Sequence, residues 1–225
     1  MHFGVESAQS ISNDLTNLLN SIDAPKPYIV VGHSAAGITL RQFIKENQDD
    51  IVGIVLVDVS NPEQTLIRPP KMPPPALISL LSVSGIMRLT SNRTMPGTYA
   101  GDRINQVGAA LIHRSTKGTF DEAANMIEMS DSAQKIENFG DIPLIVISAT
   151  GFRDRANSDD VEMRQTFERR DSLQSALLKL STESVQIKAE NSSHYVQLEE
   201  PEIVVSAIES IISKYRSIEK GLDSN

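Results

Sequence analysis

A chain of 225 residues, 40% hydrophobic and 22% charged, is long enough for one sizeable core and has ordinary globular composition. Its formal charge of −8 disfavours nucleic acid or an anionic membrane surface as the main partner, and no run approaches the roughly 18 apolar residues of a membrane span. The absence of Cys removes disulfides, thiolate chemistry and zinc–thiolate sites; with no basic and apolar leader at the N-terminus, a cytoplasmic protein is expected.

Residues 7–22 place Ala8, Ile11, Leu15, Leu18, Leu19 and Ile22 at helical spacing, which predicts an amphipathic helix lying on a sheet. Pro25 and Pro27 stop it, because Pro cannot continue a helix. Tyr28–Val31 then reads as a buried strand, and a helix is predicted from the turn after it to about Asn47. Residues 51–58 form a second, nearly continuous apolar run. Unalternating strands separated by a helix predict a parallel sheet covered on both faces.

Five of the 11 prolines fall between Pro69 and Pro75, a stiff connector by composition, or a polyproline ligand for a partner domain. Helical patterns fill 76–138, notably Ala76–Leu89 and Phe120–Ile136, without strand signals. Met72, Met87, Met95, Met126 and Met129 fall in this region, either as core or as the lining of an adaptable pocket. Residues 141–149 return to a buried strand, followed by a polar loop over 150–160. A helix is predicted over Val161–Leu180, with Leu173, Ala176, Leu177 and Leu180 on one face. Residues 185–190 alternate as a half-exposed edge strand does, and Pro201 opens a final helix.

The chemistry centres on Gly32-His33-Ser34-Ala35-Ala36-Gly37, between strand and helix. This is a G-x-S-x-G-like turn, although the strict fifth place holds Ala36, with Gly37 after it. Small residues let neighbouring backbone approach, and the turn lifts Ser34 above the sheet beside a helix N-terminus. Ser34 is thus a candidate nucleophile; the plainer reading is a helix N-cap. A serine nucleophile needs an imidazole to take its proton and a carboxylate to orient that imidazole. His194, in a small polar loop after the last strand, is the candidate base. Asp58, ending the second strand, is the favoured acid; Asp154 is the alternative, with Asp159 and Asp160 also open. His33 reads as packing or pocket lining, and His2 and His113 have no identifiable role.

Together the Ser34 turn, the run ending at Asp58, the strand after Asp141 and the segment Ser193–Pro201 resemble the α/β-hydrolase fold superfamily, in its serine-nucleophile branch with a helical cap. The resemblance implies an α/β fold: a mostly parallel sheet flanked by helices, formed by 1–62 and 139–225, with a helical cap insertion over 63–138. It implies Ser34 as nucleophile, His194 as base and Ala35 as donor of one oxyanion N–H. A serine at this turn separates the chain from epoxide hydrolases and haloalkane dehalogenases, which use Asp there. Cleavage of an ester or related acyl bond in a small-molecule substrate through an acyl-enzyme is expected, with no metal or organic cofactor. A non-catalytic binding or receptor protein of the same fold and an acyltransferase are the rival expectations. Family members begin with about four further strands and a loop, often bearing His-Gly, that gives a second oxyanion donor. The helix over 7–22 matches the one just before the nucleophile strand. The opening part of the sheet is therefore expected to be missing, leaving strand 28–31 as an apolar edge open to self-association.

Overall fold

The computed structural model describes residues 7–67, 73–84, 102–151 and 161–222. Four parallel strands lie in the order β1 (Tyr28–His33), β2 (Ile51–Val57), β3 (Leu144–Ala149) and β4 (Ser184–Ala189). Successive side chains of a strand point to opposite faces, so the apolar runs need cover on both sides. Ile54, Leu56, Leu144 and Val146 pack on one face with Phe43, Ile44, Leu177 and Leu180. Val55, Val57, Ile145 and Ile147 pack on the other with Val204, Ala207 and Ile211. Each such aliphatic, fully buried, contributes on the order of 1.5–3 kcal/mol. The edge strand β1 leaves Val31 44% exposed.

The helices are α1 (Ala8–Ser21), α2 (Ala36–Thr39), α3 (Arg41–Glu46), α4 (Pro62–Ile67), α5 (Pro75–Ser84), α6 (Arg103–Gln134), α7 (Val161–Ala176), α8 (Val196–Glu199) and α9 (Pro201–Leu222). Ser7 and Ser10 cap α1 reciprocally, each hydroxyl accepting the other's backbone N–H. The single helix predicted after Ser34 is two, α2 and α3, meeting at Leu40. β1 runs two residues beyond Val31, because Gly32 and His33 still pair with Leu56 and Val57. α7 ends at Ala176 and tightens into a 3₁₀ turn over Leu177–Leu180, burying both leucines at its ends.

Between β2 and β3 the described elements are helical. α5 opens with Pro75 at its first position, where a missing N–H costs no helix bond. The pattern predicted over 120–136 is the latter half of the 32-residue α6. Met129 is buried against Ala8, Ile38 and Ala133, which is plain packing; Met72, Met87 and Met95 lie outside the described residues. Arg41 ties this region to the helices that follow β1. Its Nε–H donates to the Gly37 carbonyl (3.0 Å), and its Nη1 donates to the carbonyls of Ala133 (3.2 Å) and Ile136 (3.4 Å). Burial pushes the guanidinium down to about 10.

The register pairs His33 with Val57, Ile147 with Val57, and Ile147 with Ile187. The carboxyl ends of all four strands therefore reach one edge of the sheet, the edge at which open α/β sheets bind ligands.

Candidate active site

β1 ends at His33 and α2 begins at Ala36, so Ser34 and Ala35 must make the whole turn. Ser34 has φ 57°, a left-handed conformation that residues with a side chain seldom adopt. The turn is held from outside, since the Ser60 N–H donates to the Ser34 carbonyl at 2.7 Å. A Cβ on Gly32 would lie 3.0 Å from the Ala36 Cβ and 3.1 Å from Leu40 Cδ1. Strand and helix thus face each other through Gly32 and Ala36, and the fifth place of the motif need only be small. Gly37 is small for a different reason. A Cβ there would lie 2.5 Å from the Ser60 carbonyl oxygen and 2.6 Å from the Val59 Cβ, in the loop after β2.

That loop begins with Asp58, also left-handed at φ 45°, which turns its carboxylate inward; the side chain has no exposed surface. Oδ1 accepts the Ala149 N–H at 3.1 Å. Oδ2 accepts from His194 Nδ1 at 2.6 Å and from Arg170 Nη2. The other ring nitrogen of His194, Nε2, lies 2.9 Å from Ser34 Oγ. A carboxylate only accepts, so Nδ1 carries the imidazole proton; Nε2 is then left to accept from the Ser34 hydroxyl.

The loop after β4 that carries His194 is fastened at both ends. Gly151 N–H donates to the Ser192 carbonyl at 2.9 Å. Glu200 accepts from Ser192 Oγ (2.5 Å), the Asn191 N–H (3.1 Å) and Asn191 Nδ2 (3.1 Å). The Ser192 hydroxyl first, then the Asn191 amides, hold the Glu200 carboxyl below its usual range. Glu199 accepts from the Ser193 hydroxyl (2.6 Å) and its N–H. His33 packs its ring against His194, centroids 4.5 Å apart, and its Nε2–H donates to the His194 carbonyl at 2.8 Å. Tyr195 stands edge-on to the His194 ring at 5.3 Å.

Of the residues singled out from sequence, Ser34, His194, Asp58, Ala35 and His33 meet at this edge. Ala35 is the N-cap of α2, and an N–H at the start of a helix has no carbonyl a turn earlier to bond. Asp154, Asp159, Asp160 and His2 lie outside the described residues. Arg170, Glu199 and Glu200 escaped the sequence reading. Arg170 had a legible signal: 170, 173 and 174 share one face of α7, and Arg170 is a cation beside the buried Leu173 and Gln174. Among the described residues no three His, Asp or Glu side chains group as a metal site, and no helix is long and apolar enough to cross a membrane.

Residues 2–207 match the family model described as the alpha/beta hydrolase family. An uncharacterized protein of Bacillus subtilis, YqjL, is 28% identical over 87% of this chain and 60% of its own length. A Hormonema carpetanum protein described as a probable transporter, efuK, is 24% identical over 95% of this chain and 33% of its own length. The chain thus spans less than two thirds of these curated relatives. Among solved structures, a thermophilic esterase from Thermogutta terrifontis superposes with a TM-score of 0.56 at 17% identity, over 94% of this chain and 74% of its own. At such identity the likeness is one of fold.

Proposed function

The chain belongs to the alpha/beta hydrolase family, and from that premise we propose that it is a serine hydrolase acting on an ester or related acyl bond of a small molecule. One observation carries the reading: an unbroken line of hydrogen bonds from Ser34 Oγ through His194 to the buried Asp58. A helix-capping serine has no need of an imidazole 2.9 Å from its hydroxyl, nor of a carboxylate behind that imidazole.

In the proposed mechanism Ser34 Oγ attacks the acyl carbon as His194 Nε2 removes its proton, and Asp58 stabilises the imidazolium. The oxyanion of the tetrahedral intermediate accepts from the Ala35 N–H, where the α2 N-terminus favours negative charge. Collapse breaks the bond to the leaving alcohol, which takes the proton from His194. Water then attacks the acyl-Ser34 ester by the same steps in reverse roles, releasing acid and free Ser34. The helices between β2 and β3 are proposed as a cap over this edge, within 63–138, that shapes the acyl pocket.

The test is covalent labelling by a fluorophosphonate probe, compared among the wild-type chain, Ser34→Ala and His194→Ala. Labelling of the wild type that is lost in both variants is expected. A folded wild-type chain that takes no label and hydrolyses no 4-nitrophenyl ester would refute the reading.

A further inference from the structure

We propose that Arg170 is a positioning residue that acts through Asp58, holding its carboxylate in one orientation so that it can align His194. This rests on the catalytic reading of Ser34, His194 and Asp58. Arg170 Nη2 donates to Asp58 Oδ2, the same oxygen that accepts the His194 Nδ1–H, while Oδ1 is taken by the Ala149 N–H. Three donors in three directions leave the carboxylate plane no second orientation.

Charge makes the same demand. The Asp58 side chain has no exposed surface, whereas that of Arg170 is 27% exposed. A carboxylate cut off from water is costly to keep unless a cation faces it. His33 faces the His194 carbonyl and ring, and Tyr195 faces the ring edge; among the described residues, Arg170 is the cation bonded to the carboxylate.

The position of Arg170 is itself built. One turn further along α7, Gln174 Nε2 donates to the Val59 carbonyl at 2.6 Å, next to Asp58. Asn61 Nδ2 donates to the Leu173 carbonyl at 2.9 Å. Ser148, at the end of β3, donates to Gln174 Oε1 at 3.4 Å and accepts from Gln186 Nε2 of β4 at 2.9 Å. α7 is therefore pinned to the loop that carries Asp58.

The experiment compares wild type, Arg170→Met, Arg170→Lys, Asp58→Asn and the double variant Arg170→Met/Asp58→Asn on 4-nitrophenyl acetate. Arg170→Met is expected to lower kcat roughly 10–100-fold with little change in KM, the scale on which residues that orient another functional group act. Arg170→Lys should recover part of the loss by restoring charge without the planar fork. In the Asp58→Asn background the Arg170 change should cost nothing further, since its target is gone. A kcat within twofold of wild type for Arg170→Met, or a full additive loss in the double variant, overturns the proposal. The far-downfield proton resonance of His194 Nδ1 gives a second readout that does not depend on turnover. It should be present in wild type, weakened in Arg170→Met and restored in Arg170→Lys. If wild type proves inert towards esters, the hydrolase reading fails, while an unchanged resonance in both folded Arg170 variants is what sinks the role of Arg170. Should the Met variant not fold, Arg170→Gln takes its place in the same comparisons, with the same expected loss and the same refuting outcomes.

Discussion

Replacing Asp58 by Asn keeps the shape of the side chain and removes its ability to accept on both oxygens. In the native site Oδ1 receives the Ala149 N–H, and Oδ2 receives His194 and Arg170. An asparagine has one oxygen for these two places. With its oxygen towards Ala149, the amide NH₂ confronts the Nδ1–H of His194 and the guanidinium. The imidazole then moves its proton to Nε2, which can no longer accept from Ser34 Oγ. With the oxygen towards His194, the tautomer survives but the Ala149 N–H is left buried against a donor, a cost of about 1–3 kcal/mol. The negative charge behind the imidazolium is lost in both cases. Wrong-tautomer variants of such sites lose about 10⁴-fold in kcat, or roughly 5.5 kcal/mol of transition-state stabilisation. The expected loss for Asp58→Asn lies between about 10² and 10⁴, read as kcat on a 4-nitrophenyl ester and as the fluorophosphonate labelling rate, with Ser34→Ala as the floor. Asp154→Asn should stay within about threefold of wild type, since the Asp58 carboxylate already holds the place behind the His194 imidazole. An Asp58→Asn enzyme as fast as wild type, or an Asp154→Asn enzyme that is the slower of the two, would refute the assignment of the acid.

Two further outcomes follow from the supports around the site. Arg41→Met removes the donors to the carbonyls of Gly37, Ala133 and Ile136 in a buried place, at a cost of about 3 kcal/mol. For a chain of this size that lowers Tm by roughly 6–12 °C, and a melt unchanged from wild type would contradict it. Glu200, whose carboxyl is held below its usual range by Ser192 and Asn191, stabilises the His194 loop in its ionised form. The contribution is complete above the ordinary value of 4.5 and is lost as pH falls below it through the folded-state value. The Tm gap between wild type and Glu200→Gln should therefore be positive at pH 7 and close on acidification below 4.5. A gap independent of pH would show that the carboxylate charge plays no part.

What the sequence made legible was local, and what it hid depends on residues far apart meeting. The sheet could be read because Ile51–Val57 and Leu144–Ala149 are apolar without alternation, which only a parallel sheet covered on both faces can use. The turn at Ser34 could be read because close approach of backbone demands small residues, and Gly32, Ala36 and Gly37 are packed that closely. Asp58 is favoured over Asp154 from the chain because it ends its strand directly, but nothing local says that its carboxylate turns inward. Asp58 turns inward because its backbone goes left-handed directly after β2, and a non-glycine residue gives no warning of that.

Arg170 marks the boundary between the two kinds of knowledge. On a helical wheel it is a polar interruption of the stripe of Leu173 and Leu177, and so is Gln174. Periodicity alone treats such positions as noise in an amphipathic pattern. A buried face interrupted twice at one-turn spacing instead implies buried acceptors opposite, because uncompensated polar groups are not left there. Those acceptors are the Asp58 carboxylate and the Val59 carbonyl, adjacent residues at the end of β2. Polar residues on an otherwise apolar helix stripe thus indicate where a functional loop is clamped, even when the loop lies 112 positions away along the chain.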